Sequence, residues 1–97
     1  MKGNVLRKRY FLLRVENCGE RRRSVEQDLY RTFAAKIKYR DPEFTIVLTD
    51  QFQKDFVARY IMKHYSCVDI ISVSGTIRKL KRIMRAIRER ADPTISR

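Results

Sequence analysis

Three stretches with strand character are separated by two with helical spacing, and this alternation confines the chain to a small mixed α/β sheet. Lys8–Glu16, Phe44–Thr49 and Cys67–Val73 are rich in β-branched, aromatic and aliphatic residues. In the first of them Phe11, Leu13 and Val15 point one way while Tyr10, Leu12 and Arg14 point the other. Apolar groups on both sides predict a central strand covered on both faces.

Between the strands, Leu29, Tyr30, Phe33, Ala34 and Ile37 recur at helical spacing and predict a helix over about 25–36. A capping box over Ser24-Val-Glu-Gln27 would open it, and Leu29, Tyr30 and Phe33 are read as core. Ile37–Arg40 either continues this helix or forms a short edge strand before a turn at Asp41-Pro42-Glu43. Asp50 is placed as the cap of a second helix, with Phe52, Phe56, Val57, Tyr60 and Ile61 on its inner face. Ser74-Gly75-Thr76 ends the last strand and starts a third helix running to about Ala91. The order β-α-(β)-β-α-β-α predicts an α+β fold, a compact ferredoxin-like sandwich of the kind also seen in RNA recognition motifs. Its antiparallel sheet has three or four strands, and the C-terminal helix is an addition. A three-stranded sandwich without the edge strand is the alternative.

All 97 residues fit one domain, with 1–7 and 92–97 expected to be flexible ends. Apolar residues at 43% argue against disorder despite 35% charged residues. No run is apolar enough for a membrane helix, and Arg14 and Glu16 interrupt any signal-peptide core, so a soluble cytoplasmic protein is expected. Cys18 and Cys67 belong to no CxxC pair and read as free thiols. With His64 as the lone histidine, no zinc site or other protein-bound cofactor is expected. His64 lies near a helix C-terminus, where a cation is favoured, and is read as a cap.

Charge distribution is the strongest functional signal. The net charge is +12, and it lies at the two ends. Residues 1–23 and 74–91 each carry +6, while 24–73 balance seven cations against seven acids. Two basic blocks around a neutral body suit a polyanion. In the last helix Ile77, Leu80, Ile83, Met84, Ile87 and Ala91 form an apolar arc. Arg78, Lys81, Arg82, Arg85 and Arg88 are read as the opposite face, with Lys79 and Arg90 at its flank and Glu89 as the one available acid. Ser74, Gly75 and Thr76 offer amides and hydroxyls at that helix start. Arg7, Lys8 and Arg9, the loop Arg21, Arg22 and Arg23, and an outward Arg14 complete the candidate RNA-binding set. These N-terminal groups lie near opposite ends of the first strand, so an extended footprint is expected.

Catalysis is not expected. The carboxylates are scattered, and one histidine does not supply both an acid and a base. The Lys/Arg-Gly-aromatic octapeptide with which RNA recognition motifs stack bases is also missing.

The segment Ser74-Gly-Thr-Ile-Arg-Lys-Leu-Lys-Arg82, preceded by Ile70-Ile-Ser-Val73, resembles the closing segment of ribonuclease P protein component 2. That family is the archaeal counterpart of the eukaryotic Pop-five subunit. Lys8-Arg-Tyr-Phe-Leu-Leu-Arg-Val15 resembles its first strand, and the likeness spans about residues 8–88. It implies a ferredoxin-like sheet with extra helices and a role in 5′ maturation of precursor tRNA. It further implies that ribonuclease P RNA performs the cleavage with Mg²⁺, while the protein supports the catalytic domain of that RNA. The implied protein partner is ribonuclease P component 3, a barrel-like subunit, and precursor tRNA is met through the holoenzyme. Ser74, Gly75, Thr76, Arg78, Lys79, Lys81 and Arg82 occupy the matching motif; their contact with RNA is inferred from charge and position. The short stretch before Phe44 departs from the family and predicts a trimmed middle hairpin. A basic adaptor for acidic proteins and a ribosomal or other nucleic-acid accessory protein are the alternatives.

Overall fold

A computed structural model describes residues 7–91. The elements are β1 (Lys8–Arg14), a 3₁₀ segment (Glu16–Arg21), α1 (Arg22–Phe33), β2 (Lys36–Arg40), β3 (Phe44–Asp50), α2 (Lys54–His64), β4 (Asp69–Ser74) and α3 (Ile77–Ala91). All strand pairs are antiparallel in the order β2-β3-β1-β4, the arrangement of a ferredoxin-like βαββαβ sandwich. The middle hairpin is formed, since Lys36–Arg40 is an edge strand of five residues. Of the ends expected to be flexible, 1–6 and 92–97 lie outside the described residues. Arg7 is exposed, and its carbonyl accepts from the Gln51 amide at 2.9 Å.

The alternation in β1 divides the core as read. Phe11, Leu13 and Val15 pack with Val25 and Leu29 of α1 and with Val57 and Ile61 of α2. On the opposite face Leu12, Phe44 and Ile46 meet Leu80 and Met84 of α3. Complete burial of Leu12 and Leu80 places each at the upper end of roughly 1.5–3 kcal/mol per side chain. The added helix therefore covers the sheet face that an RNA recognition motif leaves open for bases.

Several local expectations are corrected. α1 starts at Arg22, so Ser24 lies inside the helix and no side chain caps it. The 3₁₀ segment, kinked at Gly19 (φ 58°), leads directly into α1, and the Arg22 amide donates to the Gly19 carbonyl. The helix ends at Ala34, which lies in the left-handed region at φ 58° and frees the chain to start β2. Asp50 accepts from the Gln53 amide at 3.0 Å, capping the turn that leads into α2 rather than the helix itself. Tyr30 is exposed rather than core, because Val25, Glu26 and Leu29 set the buried face of α1; Phe52 and Phe56 are likewise exposed, off the face set by Val57 and Ile61. Cys18 and Cys67 are not free thiols but form a disulfide, with Cα atoms 4.9 Å apart. A separation of 49 residues conceals that pairing in the sequence, whereas the sheet brings the end of β1 beside the approach to β4. No helix among the described residues is long and apolar enough to cross a membrane.

Candidate nucleic-acid interface

Antiparallel pairing of β1 with β4 sets Tyr10 opposite Ser74. The start of the first basic block and the start of the second thus lie side by side. A Cβ at Gly75 would stand 3.0 Å from Nη1 of Arg9, so the glycine leaves the room in which that guanidinium rests. Arg9 also donates to the Lys8 carbonyl at 2.9 Å. The Ser74 hydroxyl accepts from the Thr76 amide at 3.2 Å and closes the turn, leaving Gly75 and Thr76 exposed at the start of α3. Arg7, Lys8, Arg9 and Ser74–Thr76 form one corner of the molecule.

From this corner α3 carries its cations along the surface. Arg78, Lys79, Lys81, Arg82 and Arg85 are exposed, and none forms an ion pair with a described residue. Arg78, Lys81, Arg82 and Arg85 line a shallow hollow beside Ile77. The Lys81 ammonium lies 5.1 Å from the centre of the Tyr39 ring, where cation–π attraction holds its stem against the sheet. Close like charges without acids between them raise the local potential, and a polyanion lowers it.

Three predicted contacts are instead taken up internally. The sequence reading places Arg88 on the free face, but at 100° per residue it lies roughly 70° from the centre of the apolar arc. There it reaches Asp41 and, at 3.4 Å, Glu43 on the β2–β3 turn. Arg14 does not face out: it pairs with Glu43 at 3.0 Å and with Glu16 at 3.8 Å. The Arg14 and Arg88 guanidiniums lie 5.4 and 5.3 Å from the Phe44 ring centre. Arg22 donates to the Phe44 carbonyl at 3.0 Å and the Thr45 hydroxyl at 2.8 Å, and pairs with Glu26 at 3.3 Å. Of the three arginines read as a loop, Arg21 ends the 3₁₀ segment, Arg22 and Arg23 open α1, and Arg21 and Arg23 remain exposed. They sit beyond the far end of β1, roughly 20 Å of strand from the Ser74 corner.

Asp41 anchors the Arg88 contact. Burial raises its pKa, yet hydrogen bonds from the Tyr39 hydroxyl, the Phe44 amide, Arg88 and the Glu43 amide outweigh burial and bring it down to about 2. The carboxylate is thereby kept charged against the helix, and the same bond raises the Tyr39 pKa. On the other side of the sheet, Asp28 accepts from the Tyr60 hydroxyl at 2.7 Å and from that of Tyr65, linking α1 to α2. His64 ends α2 with its ring 4.4 Å from that of Tyr60 and tilted at 46° to it. Among the described residues no three His, Cys, Asp or Glu side chains gather in a way that could hold a metal ion.

Sequence reasoning missed Lys36. Lys36 pairs with Leu48 at the same sheet end as Lys8, and it is exposed. Its placement depends on Lys36–Arg40 being a strand, which the residues alone left open. In a comparison with known proteins, no family model, curated protein or solved structure matches this chain.

Proposed function

We propose that this chain is an RNA-binding subunit of a ribonuclease P, supporting the catalytic RNA in 5′ maturation of precursor tRNA. The observation that carries the RNA-binding part is the continuous basic surface from Arg7–Arg9 across the Ser74–Thr76 turn and along α3. Its cations lack acidic partners among the described residues, while Arg14, Arg22 and Arg88 have them. The ribonuclease P assignment rests on the likeness of Lys8–Val15 and Ser74–Arg82 to component 2, and the order of elements agrees with it.

On this reading the protein has no catalytic residue. Arg78, Lys81, Arg82 and Arg85 neutralise phosphates that Mg²⁺ would otherwise have to screen, so the RNA folds and cleaves at lower Mg²⁺. Component 3 is the protein partner, precursor tRNA is met within the holoenzyme, and the complex works in the cytoplasm. The test is cleavage of precursor tRNA by the cognate RNA across a Mg²⁺ titration, with and without this protein and component 3. The proteins are expected to lower the Mg²⁺ midpoint severalfold; an unchanged midpoint refutes the assignment.

A further inference from the structure

We infer that Phe52 is a base-stacking position, and that the ligand it takes is an unpaired nucleotide of RNA. This rests on the RNA-binding reading and adds a contact of a different kind to it. Phe52 is 73% exposed. It sits in the turn between β3 and α2, which is held by the Asp50 carboxylate on the Gln53 amide at 3.0 Å. A ring presented from a fixed turn loses little freedom when a base lies on it.

Its surroundings identify the partner. The Gln51 amide donates to the Arg7 carbonyl at 2.9 Å, and Lys8 stands opposite Asp50 in the sheet. Phe52 is thus one residue from the hydrogen bond that ties its turn to the basic corner. A groove of about 190 Å³ at this sheet end is lined by Lys8, Lys36, Leu48 and Gln53 among others. Phe56, in the first turn of α2, is 62% exposed. The acids here are Asp50, held by the Gln53 amide and side chain, and the exposed Asp55.

Aromatic rings beside a cationic track are what single-stranded nucleic acid requires: π-faces for bases and charge for the backbone. A protein interface would need on the order of 1,000 Å² with a contiguous apolar centre, far more than two rings provide. A second copy of the chain would bring another +12 against this corner. α3 blocks the sheet face that serves stacking in an RNA recognition motif, so the exposed rings at the sheet end take that role.

The experiment compares two probes on the full chain. One is an unstructured RNA of about twelve nucleotides carrying a fluorescent adenine analogue, the other a duplex of about the same length. Phe52→Ala is expected to weaken single-strand binding about tenfold, the loss of one stacked base, and to leave duplex affinity unchanged. Phe52→Trp should retain single-strand affinity and the quenching of the analogue. Equal losses on both probes, or no loss on either, overturn the proposal. So does a change in self-association of Phe52→Ala without a change in RNA affinity. If the unaltered protein binds neither probe in a salt-dependent way, the RNA-binding reading itself has failed, a result distinct from failure of stacking alone.

Discussion

Cys18 lies in the 3₁₀ segment after β1 with 5% of its surface exposed, and Cys67 precedes β4; their bond closes a loop of 49 residues. Counting cysteines and searching for CxxC suggested two free thiols. That inference failed because a disulfide depends on where strands place their ends, and spacing does not record it. The same limit applies to arginine. Arg14, Arg22 and Arg88 look like their neighbours in sequence, yet each meets a carboxylate supplied from a distant element or from its own helix. For the disulfide, chain-entropy reasoning gives about 4 kcal/mol for a loop of this length. Cys18→Ala with Cys67→Ala is therefore expected to lose about 4 kcal/mol in urea unfolding. Reductant should lower the midpoint of the unaltered protein and leave that of the double variant in place. A midpoint insensitive to reductant in both would show that the bond is not formed.

At the level of elements, α3 is held on the sheet from two sides. Leu80 and Met84 bury its inner face, and Asp41 and Glu43 of the β2–β3 turn grip Arg88 near its end. β1 and β3 are legible in the sequence because both their faces are covered and they read as near-continuous apolar runs, whereas the half-exposed edge strand β2 is not. Helix boundaries were less legible: the Ser24 box was a valid cap signal overridden by a 3₁₀ segment that continues into α1. In α2 five apolar residues were assigned to one face, but only Val57 and Ile61 are fully buried, and the rest of that arc goes to the rim or to solvent. The grip on α3 gives a pH prediction. Asp41 titrates at about 2 in the folded chain against an ordinary 3.8, so folding favours its ionised form. Its contribution is complete above the unfolded pKa and is lost as pH falls from 3.8 toward about 2. With the carboxylate 14% exposed, that shift corresponds to about 2 kcal/mol. Asp41→Asn keeps an acceptor for the Glu43 and Phe44 amides but removes the charge. The stability gap between the unaltered protein and this variant should narrow across that window. A gap independent of pH would mean that the hydrogen bonds from Tyr39, the Phe44 amide and Arg88 do not favour the charged carboxylate.

Taken as a whole, the molecule collects two basic blocks from the ends of the sequence and sorts them. The order β1-β4 at one side of the sheet brings Arg9 to Gly75, so the first basic block meets the start of the second. Charge totals revealed the blocks but not this meeting, which required the strand order, and not the removal of three arginines, which required side-chain partners. The sorted surface gives the last prediction. Each cation on a phosphate releases condensed counterions, so the dependence of affinity on salt counts contacts. Replacing Arg78, Lys81, Arg82 and Arg85 together with Gln should reduce the slope of log K against log salt by about 3. These side chains are exposed and lack acidic partners, so the relief of self-repulsion should offset the lost Lys81–Tyr39 contact and the variant should fold about as stably as the parent. Arg88→Gln should behave in the opposite sense, losing stability while keeping the slope, because its charge is already spent on Asp41 and Glu43. Equal slope losses for Arg88→Gln and for single substitutions on the free row would place Arg88 on RNA and dissolve the division between clamp and interface. An Arg21, Arg23 double replacement then measures the length of the footprint: a slope reduced by about 1.5 extends it to the far end of β1, and an unchanged slope confines it to the Ser74 corner and α3.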